Sequence, residues 1–272
     1  MDSKKRRKIL DKKKAIREVI NRASSFADPL SSLPSFRRYS RNGLSVFLES
    51  DRGDKLSSSV RQYIRMLLRM NMAGFHGSDW RIHEKVKHRE MVSPDARYIF
   101  VRELLNGRIN EVSKGKGMEV CDQMAGFVHY RFTLEEEMPV LYVYEIQLES
   151  RVQGKGLGEF LMQLVELIAC KNRMGAVVLT VQKSNSLAMT FYMSKLRYKI
   201  SSISPSKVNP PNGACESYEI LCKTFDPEAR SVLEDDDDDH DHDHDGRTSC
   251  KKHQVFRTKK GNNERDAVRK ER

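Results

Sequence analysis

The stretch Val143–Phe160, VYEIQLESRVQGKGLGEF, decides the fold. It begins inside a run from Val140 to Leu148 rich in β-branched and aromatic residues, which reads as a strand. It ends in an amphipathic helix over Leu157–Cys170, with Phe160, Leu161, Leu164, Val165 and Ile168 on one face. Between them lies Gln153-Gly154-Lys155-Gly156-Leu157-Gly158. Glycines let a backbone approach a ligand closely, and the free N–H groups of a helix start attract anions. Lys155 adds charge. Glu159 follows Gly158, so the Gly-Lys-Ser/Thr ending of a phosphate-binding P-loop is missing. An early strand with Gly-x-Gly-x-x-Gly is missing too, which excludes a dinucleotide-binding fingerprint.

Outward from this centre, helical spacing covers Val60–Met72, with Gly74 and Gly77 as breaks. A charged helix covers Arg81–Met91, stopped by Ser93-Pro94. Strands are expected over Arg97–Leu105 and Gln123–Thr133, with a hairpin signal at Asn106-Gly107 and a loop to Val120. An acidic turn, Glu135–Glu137, follows. Beyond the central helix come a buried strand at Ala176–Val181, a helix over Ser186–Leu196, and a strand pair at Tyr198–Ile203 and Tyr218–Thr224. This is an α/β pattern with a mixed sheet.

The chain has 272 residues, 38% hydrophobic and 32% charged, with net charge +11. One folded domain with solvated ends fits that balance. Residues 1–27 form a basic segment in which Ile9, Leu10, Ile16, Val19 and Ile20 make a narrow stripe able to dock on the main domain. Its cluster Lys4–Lys8 reads either as a nuclear-import signal or polyanion contact, or as a solvated end. The domain is expected over residues 28–225. Residues 226–272, with Asp235–Asp239 and His240, His242 and His244, are expected to be a disordered tail. The His/Asp alternation competes between weak metal binding and simple solvation; no metal is required. Cys121, Cys170, Cys215, Cys222 and Cys250 are scattered without a CxxC pair, which suggests reduced thiols inside a cell. No apolar run is long enough to span a membrane.

Gln153, Gly156 and Gly158 match the Arg/Gln-x-x-Gly-x-Gly/Ala loop of the GNAT superfamily, and Asn185, Ala188, Phe191 and Tyr192 match its Asn-x-x-Ala-x-x-Phe-Tyr helix. The chain resembles GNAT acetyltransferases in both. The resemblance implies a GNAT fold, with a mixed, mostly antiparallel sheet flanked by helices, and acetyl-CoA as donor. It also implies that the strand before the loop splays from the next one. Ile146, Gln147, Leu148, Gln153, Gly154, Lys155, Gly156, Leu157, Gly158, Glu159 and Asn185 would then bind the cofactor. The runs Asp28-Pro29-Leu30, Tyr39-x-Arg41-Asn42-Gly43-Leu44, Tyr142-x-Tyr144-Glu145-x-Gln147-Leu148-Glu149-Ser150 and Ser217-Tyr218-Glu219-Ile220-Leu221 are similar to the NatD family (N-alpha-acetyltransferase 40). That family acetylates the N-terminal serine of histone four and histone two-A, and its basic N-terminal segment packs on the catalytic domain.

The resemblance implies that Glu145 is the general base, directly or through water; pairing with a basic neighbour is the alternative reading. An α-amine, with pKa near ~8 against ~10.4 for lysine, needs only modest help. His76, Trp80, Glu135, Tyr142, Tyr144, Thr180 and Tyr218 would line the substrate side, with Glu135 meeting the arginine of a Ser-Gly-Arg-Gly terminus. Sheet packing is the plainer role for the tyrosines. Strand alternation puts Tyr142 and Tyr144 on one face and Glu145 on the other unless a bulge intervenes. Two positions depart from the family: Thr133 stands where relatives carry aspartate, and Phe75-His76 where a tyrosine touches substrate. Tyr192 sits where many GNAT enzymes place a general-acid tyrosine. The expectation is an N-alpha-acetyltransferase of histone tails, monomeric, in nucleus and cytoplasm, with ribosome or chromatin contact through the basic segment. Another amine acceptor, or a silent chromatin- or ribosome-binding protein, are the alternatives.

Overall fold

The structure, a computed structural model, describes residues 2–104, 124–213 and 216–234. The Asn106-Gly107 signal, the loop to Val120 and the Asp/His run lie outside them. An N-terminal helix, α1 (Asp2–Ser25), is followed by strands β1 (Arg38–Arg41) and β2 (Leu44–Arg52). Helices α2 (Ser58–His76) and α3 (Trp80–Met91) precede β3 (Arg97–Glu103), β4 (Met124–Glu135) and β5 (Met138–Leu148). Next come α4 (Leu157–Lys171), β6 (Ala176–Gln182), α5 (Ser186–Thr190) with a π-helical turn Phe191–Lys195, and β7 (Lys199–Ile200). The short helices α6 (Pro205–Val208) and α7 (Pro210–Gly213), strand β8 (Tyr218–Thr224) and α8 (Pro227–Leu233) close the order. The strands form one sheet, β1-β2-β3-β4-β5-β6-β8-β7, in which β5 and β6 are the parallel pair.

Alternation along the strands sorts the core onto two faces. Val128, Tyr130, Leu141 and Val143 pack against α4 through Leu161, Leu164, Val165 and Ile168. Tyr98, Phe100 and Phe127 point the other way, against Ile64, Leu67 and Leu68 of α2 and Trp80 and Met91 of α3. Helix α2 starts where Ser57 accepts a hydrogen bond from the Val60 N–H at 3.3 Å. It runs through Gly74, expected to break it, and stops at Gly77, whose φ is +53°. A glycine inside a helix costs about 1 kcal/mol, less than the buried apolar stripe of α2 returns.

Three elements differ from the sequence reading. The β1–β2 hairpin was not expected, although Asn42 and Gly43 have φ of +53° and +70°, as a two-residue hairpin turn needs. Its first strand buries only Tyr39, so no alternating pattern marks it. The tail was expected from Asp226, yet that residue caps α8 by accepting the Ala229 N–H at 2.8 Å. Ala229 and Leu233 are fully buried under the sheet, too short an apolar pattern to stand out in sequence. In α1 only the C-terminal half docks: Ala23 is buried, Val19 and Ile20 pack partly, and Ile9 and Leu10 stay exposed.

Arg97 holds that docked end. It is 4% exposed and donates to the Ser24 carbonyl at 2.5 Å and the Pro94 carbonyl at 3.0 Å. Arg97→Ala is expected to cost roughly 3 kcal/mol, through lost charge-assisted bonds and carbonyls left unpaired. Limited proteolysis should then cut α1 before the rest of the domain.

Candidate active site

The β5–β6 ladder runs only from Val140↔Ala176 to Val143↔Leu179. Beyond it β5 continues to Leu148 and β6 to Gln182, so the two strands part and Ile146, Gln147 and Leu148 border the opening. At the same point the register of β5 shifts. His129 pairs with Glu145 but Tyr130 pairs with Val143, which leaves Tyr144 as the extra residue of a bulge. The shift brings Tyr142, Tyr144 and Glu145 to one face. The ring centroids of Tyr142 and Tyr144 are 5.2 Å apart, and the Tyr142 hydroxyl lies 2.5 Å from Thr180 Oγ on β6.

The strand feeds a turn in which Gly154 and Gly156 have φ of +70° and +84°. Gly156 precedes α4, whose first internal bond is from the Phe160 N–H to the Gly156 carbonyl at 3.2 Å. The N–H groups of Leu157, Gly158 and Glu159 therefore precede the ladder and suit an anion. Gln153 is pinned, its amide donating to the Leu148 carbonyl at 2.8 Å. Tyr39 Oη and Asn42 Nδ2 donate to the Lys155 carbonyl at 2.5 and 3.0 Å, so the unexpected hairpin braces the turn. A Cβ on Gly156 would sit 2.8 Å from Tyr39 Oη. At position 156 a side chain would collide, and the free N–H groups beside it favour an anion.

Glu145 is 8% exposed, and both its oxygens are engaged. Lys87 Nζ of α3 lies 2.8 Å from Oε1, and the Gln147 amide donates to Oε2 at 3.0 Å. Asn71 of α2 steadies Gln147 by donating to its side-chain oxygen at 2.9 Å. Lys87 also lies 3.2 Å from Glu90 Oε2. Burial works against the Lys87 charge, but the Glu145 and Glu90 carboxylates outweigh it and hold the ammonium protonated.

Residues 79–196 match the family described as Acetyltransferase (GNAT). The GNAT fold expected from the sequence agrees with this match. The chain is also similar to solved structures of the fold. PaiA N-acetyltransferase from Thermoplasma acidophilum, in complex with coenzyme A, is 15% identical with a TM-score of 0.42, over 65% of this chain and 99% of that one. Naa50 of Arabidopsis thaliana, in complex with the bisubstrate analogue CoA-Ac-MVNAL, is 16% identical with a TM-score of 0.40, again over 65% and 99%. NAA60 of Arabidopsis thaliana, also with a bisubstrate analogue, is 12% identical with a TM-score of 0.42, over 66% and 99%. Acetyl-CoA-dependent acetyl transfer, the activity class read from the sequence, agrees with the family.

The remaining expected residues separate. Thr180 joins Tyr142 as described, and Tyr142 and Tyr218 both pack against the cluster that holds Val140, Val178 and Ile220. Glu135 shares the Glu145 face of β4, six positions beyond His129, roughly 20 Å by strand rise. Three expected residues have structural partners of their own. Asn185 caps α5, its Oδ1 accepting the Ala188 N–H at 3.1 Å. Glu159 pairs with Lys195 at 2.9 Å, which leaves its backbone N–H as its route to an anion. Trp80, 7% exposed, is core between α2 and α3. Tyr192 is 7% exposed, and burial followed by the Glu145 charge pushes its phenol up, so it stays protonated.

The sequence reading missed Lys87, Asn71, Tyr39 and Asn42 as parts of the site, and two histidines. His83 of α3 faces His76 with ring centroids 4.0 Å apart; burial first, then the mutual charge and Lys87, lower His76. His129 is 3% exposed and stacks between Tyr98 and Tyr144, 4.9 Å from each. Burial, then Arg131 and Lys87, push His129 well below the usual imidazole range. An unfolded chain protonates it near ~6.5, so the folded state binds fewer protons below that pH. Stability contributed by neutral His129 is therefore present above ~6.5 and lost as pH falls below it. Thermal melts from pH 7 to 5 should fall less steeply in His129→Phe, which keeps the ring and removes the titration.

Proposed function

We propose that the protein is an N-alpha-acetyltransferase that transfers acetyl from acetyl-CoA to the N-terminal serine of histone four and histone two-A. The observation that carries the reading is the bulge at Tyr144, which gathers Tyr142, Tyr144, Glu145 and Thr180 on one face beside the parted strands. The NatD-like run Tyr142–Ser150 supplies the substrate class.

Bound acetyl-CoA would supply an activated acetyl thioester. Gly154, Gly156 and the N–H groups of Leu157, Gly158 and Glu159 would hold its pyrophosphate, with Lys155 adding charge. Ile146–Leu148 would align its arm along the open edge of β5. On the other side of the gap, Tyr142, Tyr144 and Tyr218 wall the substrate's first residues. Glu145 takes the proton from the α-ammonium, leaving a neutral amine to attack. Glu135 lies at the far reach of an arginine in the third position of the peptide. Thr133 stands where the family carries aspartate, and Phe75-His76 lies where it carries a substrate-contacting tyrosine, so these two places bear on selectivity.

Residues 5–15 of α1 are exposed and mostly basic. We read this face as a polyanion contact at chromatin or the ribosome, consistent with work in both nucleus and cytoplasm. The deciding experiment incubates the protein with acetyl-CoA and a Ser-Gly-Arg-Gly peptide containing an internal lysine. Mass spectrometry should place the acetyl group on the α-amine. Acetylation of the lysine alone would overturn the assignment, and a peptide-library screen would then find the true acceptor.

A further inference from the structure

The best base candidate in the site already carries an ammonium. Lys87 Nζ sits 2.8 Å from Glu145 Oε1, and Gln147 occupies Oε2, so an arriving substrate ammonium meets a cation already on this carboxylate and must share it or displace it. An unpaired carboxylate as buried as Glu145 is costly, so a cation is needed there until substrate arrives. Glu90 offers that cation another berth. Its Oε2 is buried and already ion-paired with Lys87 Nζ at 3.2 Å, longer than the 2.8 Å pair with Glu145. A small rotation of one flexible lysine would tighten that pair and open the Glu145 oxygen. Glu90 is itself held in place, since Arg131, stacked over Tyr144 at 4.4 Å, donates to its carbonyl at 2.7 Å.

We propose that Lys87 is a placeholder for the substrate's α-ammonium: it neutralises Glu145 in the free enzyme and moves onto Glu90 when the amine binds. The exchange keeps one cation on Glu145 at every stage before proton transfer. It also times the chemistry. Once Lys87 has moved to Glu90, the Glu145 oxygen is open to the bound ammonium and can take its proton. The products of that step are the neutral amine and a protonated Glu145, and the count of protons is unchanged. Lys87 is thus a positioning residue that acts through Glu145, and the inference rests on Glu145 being the acceptor proposed above.

The test compares binding of two peptides to the enzyme with CoA bound: Ser-Gly-Arg-Gly and its desamino counterpart, in which a hydroxyacyl group replaces serine. In the wild-type protein the amine must displace Lys87, so the ratio of the two dissociation constants is small. Lys87→Met removes the competitor, and the amine peptide should gain at least about tenfold over the desamino one, about 1.4 kcal/mol. Glu90→Gln removes the second berth and should raise KM for the amine peptide without raising the Kd of the desamino peptide. General damage to the fold would move both peptides together. A ratio unchanged in Lys87→Met, or in Glu90→Gln should the first variant not fold, overturns the placeholder. Glu145→Gln separates the two levels. If it leaves amine discrimination and turnover intact, the Glu145 assignment itself is wrong; if it removes both while Lys87→Met changes nothing, only the placeholder falls.

Discussion

Glu145→Gln is expected to lower kcat by about 10²- to 10⁴-fold, the usual contribution of a positioned general base. The substitution is nearly isosteric. The amide oxygen that replaces the carboxylate can still accept from Lys87, and the strand around it keeps its register through Val128↔Ile146 and Tyr130↔Val143. The cofactor cradle lies beyond Leu148, on different atoms, so the dissociation constant of acetyl-CoA should stay near the wild-type value. The ability to take a proton is lost together with the charge that pairs with Lys87 and the acceptor that meets the Gln147 amide. Measuring kcat across pH with acetyl-CoA saturating, alongside calorimetric binding of CoA, separates the two effects. A variant that turns over within about tenfold of wild type would place the proton acceptor elsewhere, because a base worth less than that lies below the usual range. Loss of CoA binding would make Glu145 a structural residue of the β5 edge.

Gly156→Ala is the second large effect, and it acts on the cofactor. At φ +84° an L-residue is strained, and its Cβ would stand 2.8 Å from Tyr39 Oη. Tyr39 cannot yield freely: its hydroxyl donates to the Lys155 carbonyl at 2.5 Å and its ring packs on Phe160, centroids 5.0 Å apart. Either the turn moves or the brace breaks, and both re-aim the N–H groups of Leu157, Gly158 and Glu159. The dissociation constant of CoA should rise on the order of 100-fold, about 2.7 kcal/mol, while kcat at saturating acetyl-CoA falls less. Gly154→Ala supplies the control. It has a similar φ of +70° but nothing within 4 Å of the added carbon, so it carries the strain without the collision and should weaken CoA binding less. Equal effects from both would show that the Tyr39 contact is irrelevant.

The firmest sequence readings were those set by local chemistry. The helices α2 and α4 announce themselves by apolar spacing, α3 by its charged run and the Ser93-Pro94 stop, and β5 by its β-branched and aromatic content. The glycine turn announces itself because positive φ and close approach leave few other residues possible. The GNAT assignment rests on these, since strand, turn and helix must follow one another without interruption. The β1–β2 hairpin and α8 were missed for the converse reason: each buries too few side chains to leave a periodic trace. The basic helix α1 is legible in the sequence, but its docking through Ala23 rather than Ile9 and Leu10 depends on where the chain turns toward Arg97.

The sequence by itself determined the turn of Gln153–Gly158, the strand before it and the helix after it, because each is demanded by φ, by burial period or by a helix start within a few residues. Only the tertiary structure decided what stands around Glu145. Strand alternation alone sends Glu145 away from Tyr142, and the bulge that reverses this arises from how β4 and β5 pair, a choice made by packing on both faces. The Lys87 partner arrives from a helix 58 positions earlier in the chain, set by the burial of Trp80 and Met91 beside it. The brace on the turn comes from farther still, Tyr39 being 116 positions away. Contacts between residues so far apart are fixed by the shared core, and no local pattern encodes them.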